Sequence, residues 1–161
     1  MTTVSKIMNV NVPTLKKEAK ISDAARLMAD KPCGCVVVVE GKKPLGIITE
    51  SDILRNLVSK KFNLKEKVTK IMNSPITSIS LNTSLEKANK IIDTKHFRRY
   101  PVVKNGNLVG LVTENNVVQA INNNVRFHRN IQNAVLIIFV IFEFCIFILY
   151  KYLVEFLPFL R

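Results

Sequence analysis

The feature that most restricts the fold of this chain is a repeat. Gly46-Ile47-Ile48-Thr49-Glu50-Ser51-Asp52 returns 64 residues later as Gly110-Leu111-Val112-Thr113-Glu114-Asn115-Asn116. The same offset carries Val4-Ser5-Lys6-Ile7-Met8-Asn9 onto Val68-Thr69-Lys70-Ile71-Met72-Asn73, and no gap intervenes between these anchors. Two copies of one supersecondary unit therefore have to be accommodated, and any architecture must place them side by side.

Each copy reads as strand, helix, strand, strand, helix. In the first, Pro13-Thr14-Leu15 is extended, and Ile21 to Ala29 carries apolar residues at helical spacing. Val36 to Val39 is a β-branched run suited to a buried strand. A turn over Glu40 to Lys43 leads into a strand over Leu45 to Thr49, and a helix follows over Ser51 to Lys60. In the second copy the strands are expected at Ile76 to Ile79, Tyr100 to Val103 and Leu108 to Thr113, with Asn105-Gly106 as a hairpin turn. Its helices are expected at Leu85 to Ile92 and Asn115 to Ile121.

In its order this pattern resembles a tandem pair of cystathionine-β-synthase-like (CBS) domains, a Bateman module. The resemblance rests on the two Lys-Ile-Met openings, on Arg99-Tyr100-Pro101-Val102-Val103, and on the Gly-x-x-Thr-x-x-Asp closing motif, and it covers residues 1–125. It implies a mixed α/β (α+β) fold of two βαββα repeats, 1–62 and 63–125, packed about a pseudo-twofold axis. It also implies a regulatory, non-catalytic role and a homodimer formed through the repeats. The clefts between repeats would take an adenosine-type ligand: AMP, ADP, ATP or S-adenosylmethionine. The nucleotide site would be drawn from Val12, Thr14, Cys35, Thr49, Ser51, Asp52, Ile76, Ser78, Arg98, Arg99, Thr113 and Asn116.

The chemistry of those positions can be weighed on its own. Thr49 ends a strand and Asp52 opens a helix, where unpaired N–H groups and the positive end of the dipole favour phosphate. A carboxylate has two acceptor oxygens to match adjacent ribose hydroxyls. The same residue types serve equally as a helix cap. Copy two departs from the motif, with Asn116 where Asp is expected, and it has Arg98 and Arg99 where copy one has Gly34 and Cys35. A planar guanidinium suits phosphate. The expectation is a ribose acid in copy one and phosphate cations in copy two.

The net charge is +12. Residues 1–129 hold 22 Lys and Arg against 10 Asp and Glu, and residues 130–161 hold two of each, so the repeats carry the whole excess. Such a field favours anionic partners. Nucleic acid is the weaker candidate, since no basic motif interleaved with aromatics occurs; a ligand-free structural dimerisation module is the other alternative. No nucleophile triad, glycine-rich phosphate loop or metal-ligand spacing stands out. Cys33 and Cys35 read as small buried residues of a reducing compartment.

The composition changes abruptly after Asn122-Asn123-Asn124, which reads as a linker together with Arg126, His128 and Arg129. Residues 126–161 form a basic linker and a hydrophobic helix. Between Ala134 and Tyr150, thirteen residues are Val, Ile, Leu or Phe, and Glu143 is the one charge. At roughly 0.3–0.6 kcal/mol each, the thirteen favour insertion by about 4–8 kcal/mol. A mid-span carboxylate opposes this by roughly 2–3 kcal/mol. The expectation is a single C-terminal span over 131–153 in the cell membrane, with the repeats cytoplasmic. The alternative is a soluble cytoplasmic protein in which this helix packs on the module or in a dimer core.

Overall fold

A computed structural model describes residues 2–31, 34–59 and 63–156. Cys33 and the end of the expected second helix at Lys60 lie outside the described residues. Two three-stranded sheets form. The first copy contributes β1 (Thr14–Lys16), α1 (Ile21–Asp30), β2 (Cys35–Glu40), β3 (Lys43–Thr49) and α2 (Glu50–Val58). The second contributes β4 (Ile79–Ser80), α3 (Leu85–Lys95), β5 (Arg99–Lys104), β6 (Asn107–Thr113) and α4 (Glu114–Phe156). In each sheet the first strand pairs parallel and the hairpin antiparallel, in the orders β1-β2-β3 and β4-β5-β6.

The hairpin turn of copy two is at Asn105-Gly106, where both residues take positive φ, 51° and 76°. That is the conformation a two-residue turn demands and Asn and Gly tolerate. The first strand of copy two begins three residues later than expected. Ile76 is not part of it; with Val12, its equivalent in copy one, it packs against a core of Cys35, Val37 and Leu111. Its hydrophobicity serves the joint between copies.

The two openings are exchanged. Val4 N–H donates to Thr83 O (2.9 Å), and Val68 N–H donates to Ala19 O (2.9 Å). Asn9 pairs with Leu111 and Asn73 with Ile47. Val68 and Ile71 belong to the core of copy one, with Ile21, Met28, Val36, Val38 and Ile48. Each Lys-Ile-Met opening thus completes the other copy, and partners differ by the 64-residue offset. Two glycines permit the contact. A Cβ on Gly46 would lie 2.7 Å from Met72 Sδ and 3.0 Å from Asn73 O, and one on Gly110 would lie 2.6 Å from Met8 Sδ and 3.0 Å from Asn9 O. The symmetry is incomplete, and one bond across the joint shows why. Leu108 N–H donates to Lys42 O (2.8 Å), but Leu108's counterpart is Pro44, which has no N–H to give.

The chain divides into two compact units, Met1–Ala120 and Ile121–Arg161. The expected linker at Asn122 to Asn124 is corrected: these residues are helical, within α4. An asparagine costs up to about 0.7 kcal/mol relative to alanine. Propagating a helix between good formers on both sides is favourable enough to carry three of them.

Candidate functional site

Thr49 and Asp52 grip each other at the start of α2. Asp52 N–H donates to Thr49 Oγ1 (3.3 Å), while Thr49 N–H (2.9 Å) and Thr49 Oγ1 (2.7 Å) both donate to Asp52 Oδ2. Asn73 Nδ2, from the opening of copy two, donates to the same oxygen at 2.9 Å. The bracket recurs in copy two: Thr113 N–H (3.0 Å) and Oγ1 (2.8 Å) donate to Asn116 Oδ1, and Asn116 N–H returns to Thr113 Oγ1 (3.1 Å). Asn116 therefore keeps the cap while losing the charge. Among the described residues, all three bonds to the Asp52 carboxylate fall on Oδ2, so Oδ1 keeps its acceptor capacity.

A cavity of ≈ 410 Å³ opens beside the second bracket, lined by Arg98, Arg99, Thr113, Glu114 and Asn115. Glu114 N–H donates to Arg98 O (3.1 Å), and the counterpart in copy one is Glu50 N–H to Gly34 O (3.3 Å). These bonds tie the start of each terminal helix to the start of the middle strand. Below them Tyr100 is fully buried, and its hydroxyl accepts from Phe97 N–H (3.2 Å). Burial pushes the phenol above its ordinary value, against a smaller downward pull from that N–H. The residue thereby fixes the turn that presents Arg98 and Arg99.

Of the twelve residues expected from the sequence, the cavity brings together Arg98, Arg99 and Thr113. Val12 and Ile76 are half-buried against the core between copies, and Cys35 is fully buried in it. Thr14, Ser51 and Ser78 are exposed, while Thr49, Asp52 and Asn116 are half-buried in the two brackets. Sequence reasoning missed Gly34, Glu50, Glu114 and Asn115. Glu50 and Glu114 recur at the repeat offset, and only their position at a helix start opposite an arginine pair distinguishes them from scaffold. Gly34 adopts φ +58°, and a Cβ there would meet Arg99 Nη2 at 2.8 Å and Glu50 Oε2 at 3.3 Å. The Arg99 guanidinium, rooted in copy two, lies over copy one.

Two exchanged βαββα copies, the second bearing a cavity lined by two arginines, define a tandem paired module. The model of the CBS domain matches residues 4–59 and 68–123, and the chain belongs to that family. Among relatives, the chain is 33% identical over 134 residues to an uncharacterized protein of Methanocaldococcus jannaschii, matching 74% of this chain and 32% of that one. It is 31% identical over 112 residues to the CBS domain-containing protein YhcV of Bacillus subtilis, matching 70% of this chain and 80% of that one. The chain thus spans about a third of the first relative's length. The crystal structure of CBSX2 in complex with AMP superposes with a TM-score of 0.65 at 26% identity, covering 76% of this chain and 98% of that one. A CBS-domain containing protein from Agrobacterium tumefaciens gives 0.66 at 27%, with 74% and 98% covered.

Proposed function

We propose that this protein is a regulatory module that senses an adenine nucleotide in the cleft between its repeats. The observation that carries the reading is the cavity in which Arg98, Arg99 and Thr113 converge on a helix start. Two guanidiniums offer donors to phosphate oxygens, and the N–H groups at that helix start add to them. The AMP complex of CBSX2, a structural neighbour, supports the ligand class. The Asp52 carboxylate, with Oδ1 available, is the candidate partner for ribose. The role we assign is regulatory rather than catalytic, in keeping with membership of the CBS family.

The same proposal includes a membrane anchor over 131–153. In support, α4 is long and apolar enough to cross a bilayer, and its candidate span is wholly unburied. Leu136, Phe142 and Leu149 are 65%, 60% and 73% exposed. So wide an apolar surface is unstable in water without a cover. Arg126 and Arg129 precede it and would keep the repeats cytoplasmic. The repeats would associate as homodimers; a structural neighbour, the CBS-CP12 protein from bloom-forming cyanobacteria, is hexameric.

The test is calorimetric titration of the full chain in mild detergent with AMP, ADP, ATP, S-adenosylmethionine and adenosine. Saturable binding of a phosphate-bearing ligand, weakened by Arg98→Ala and Arg99→Ala together, is expected. Absence of binding by all five would overturn the assignment.

A further inference from the structure

The cavity's two arginines are not left to a ligand alone. Glu114 lines the cavity with them. Glu50 stands on the copy-one side of Arg99: the Arg99 Nη2 and Glu50 Oε2 atoms lie 2.8 Å and 3.3 Å from one point, the Cβ position of Gly34. The two groups are thus within about 6 Å, the range in which opposite charges stabilise one another. They form no contact ion pair, since among the described residues the direct salt bridge is Lys17 to Glu40. Glycine at position 34 makes the approach possible. Its counterpart in copy two is Arg98, so the joint holds a guanidinium on one side and an empty seat for the neighbouring guanidinium on the other. Among the described residues, this cluster holds two cations and two carboxylates, and the cavity's lining supplies no third cation.

We infer that Glu50 is a counter-charge on Arg99 that makes this cavity select adenine nucleotides with a short phosphate chain, a monophosphate over a triphosphate. The inference rests on the proposed reading of the cavity as a nucleotide site and names its ligand class. A monophosphate brings one compact anionic group, which two guanidiniums can share. A triphosphate brings further charge that must run past Arg98 and Arg99. Glu114 in the lining and Glu50 beside Arg99 carry its own sign. Like charges at short range oppose binding. Glu50 also competes with ligand phosphate for Arg99, so its charge lowers affinity for every phosphate-bearing ligand and penalises the longest chain most.

The experiment is calorimetric titration of AMP, ATP and adenosine into the full chain in detergent, for the wild type, Glu50→Gln, Arg99→Ala and the double variant. Glutamine preserves the shape of the side chain and removes only charge, and melting curves verify folding. The wild type should bind AMP more tightly than ATP. Glu50→Gln should shift the ratio toward ATP by about two- to fivefold, the scale of a half-exposed ion pair. Adenosine should be unaffected, and the shift should be smaller in the Arg99→Ala background, where the competition for that guanidinium is gone and only direct repulsion remains. A wild type that prefers ATP, an unchanged ratio in Glu50→Gln, or a shift undiminished by Arg99→Ala overturns the inference while leaving nucleotide binding intact. A wild type that binds none of the three overturns the nucleotide reading, and the selectivity claim with it.

Discussion

Asp52 and Asn116 occupy equivalent positions and make equivalent brackets with the preceding threonine. Read as letters, Asn116 is a departure from the motif; in the fold it is a working cap, because an amide oxygen accepts those bonds as a carboxylate oxygen does. The sequence therefore revealed the position but not which of its two duties survived. This separates two variants. Asp52→Asn should leave the melting temperature nearly unchanged while reducing nucleotide affinity, if the carboxylate holds ribose. Asp52→Ala should lose affinity and also about 1 kcal/mol of stability, the usual cost of a lost cap. Calorimetry and thermal melts on the same samples decide it, and full AMP affinity in Asp52→Asn counts against the ribose role. A second expectation concerns Tyr100. Replacing it with phenylalanine leaves the Phe97 N–H without its acceptor, costing about 1–3 kcal/mol in denaturant titration. Because burial raises the phenol, the native hydroxyl holds its proton more tightly than the unfolded chain does. Its contribution is complete below the ordinary phenol range and is lost as pH rises through the folded value. The wild type should accordingly lose stability in alkaline solution, and a Tyr100→Phe protein should lose less over the same interval.

At the level of elements, periodicity located the helices and the middle strands because each satisfies a local rule: β-branched runs for β2, helical spacing for α1, Asn-Gly for the hairpin. The exchange of openings was not legible, and the reason is the repeat itself. Val4 to Asn9 and Val68 to Asn73 share their pattern, so nothing within either one says which copy it serves. The same holds for Ile76, whose apolar side chain fits a strand or a joint between copies equally well. The glycines test the exchange. Gly46→Ala and Gly110→Ala place a methyl against a methionine sulfur and a backbone oxygen. The methionine must be displaced and the carbonyl can give little, so each should cost about 1–3 kcal/mol. Smaller partners provide the control. Met72→Ala should relieve the methionine's share of the Gly46→Ala cost and leave Gly110→Ala unaffected, and Met8→Ala should do the reverse. Equal relief by either methionine change would contradict the observed pairing.

For the whole molecule, the proposed anchor would decide where the module works. Full-length protein expressed in cells should remain with membranes through a carbonate wash, and residues 1–125 alone should be recovered soluble. Full-length protein found in the soluble fraction without detergent would instead make α4 a packing helix. The reciprocal openings have a consequence for how the protein can be taken apart. Neither half carries a complete core: residues 1–62 hold the opening that copy two requires, and residues 63–125 the one that copy one requires. The chain is in effect a dimer of two half-molecules that have traded arms and been joined end to end. Cutting the join should not destroy it. The halves, produced separately, should each be poorly folded and should reconstitute the proposed nucleotide site when mixed, as the two parts of a split reporter do. A half that folds alone to a stable monomer would mean that the trade of arms is dispensable.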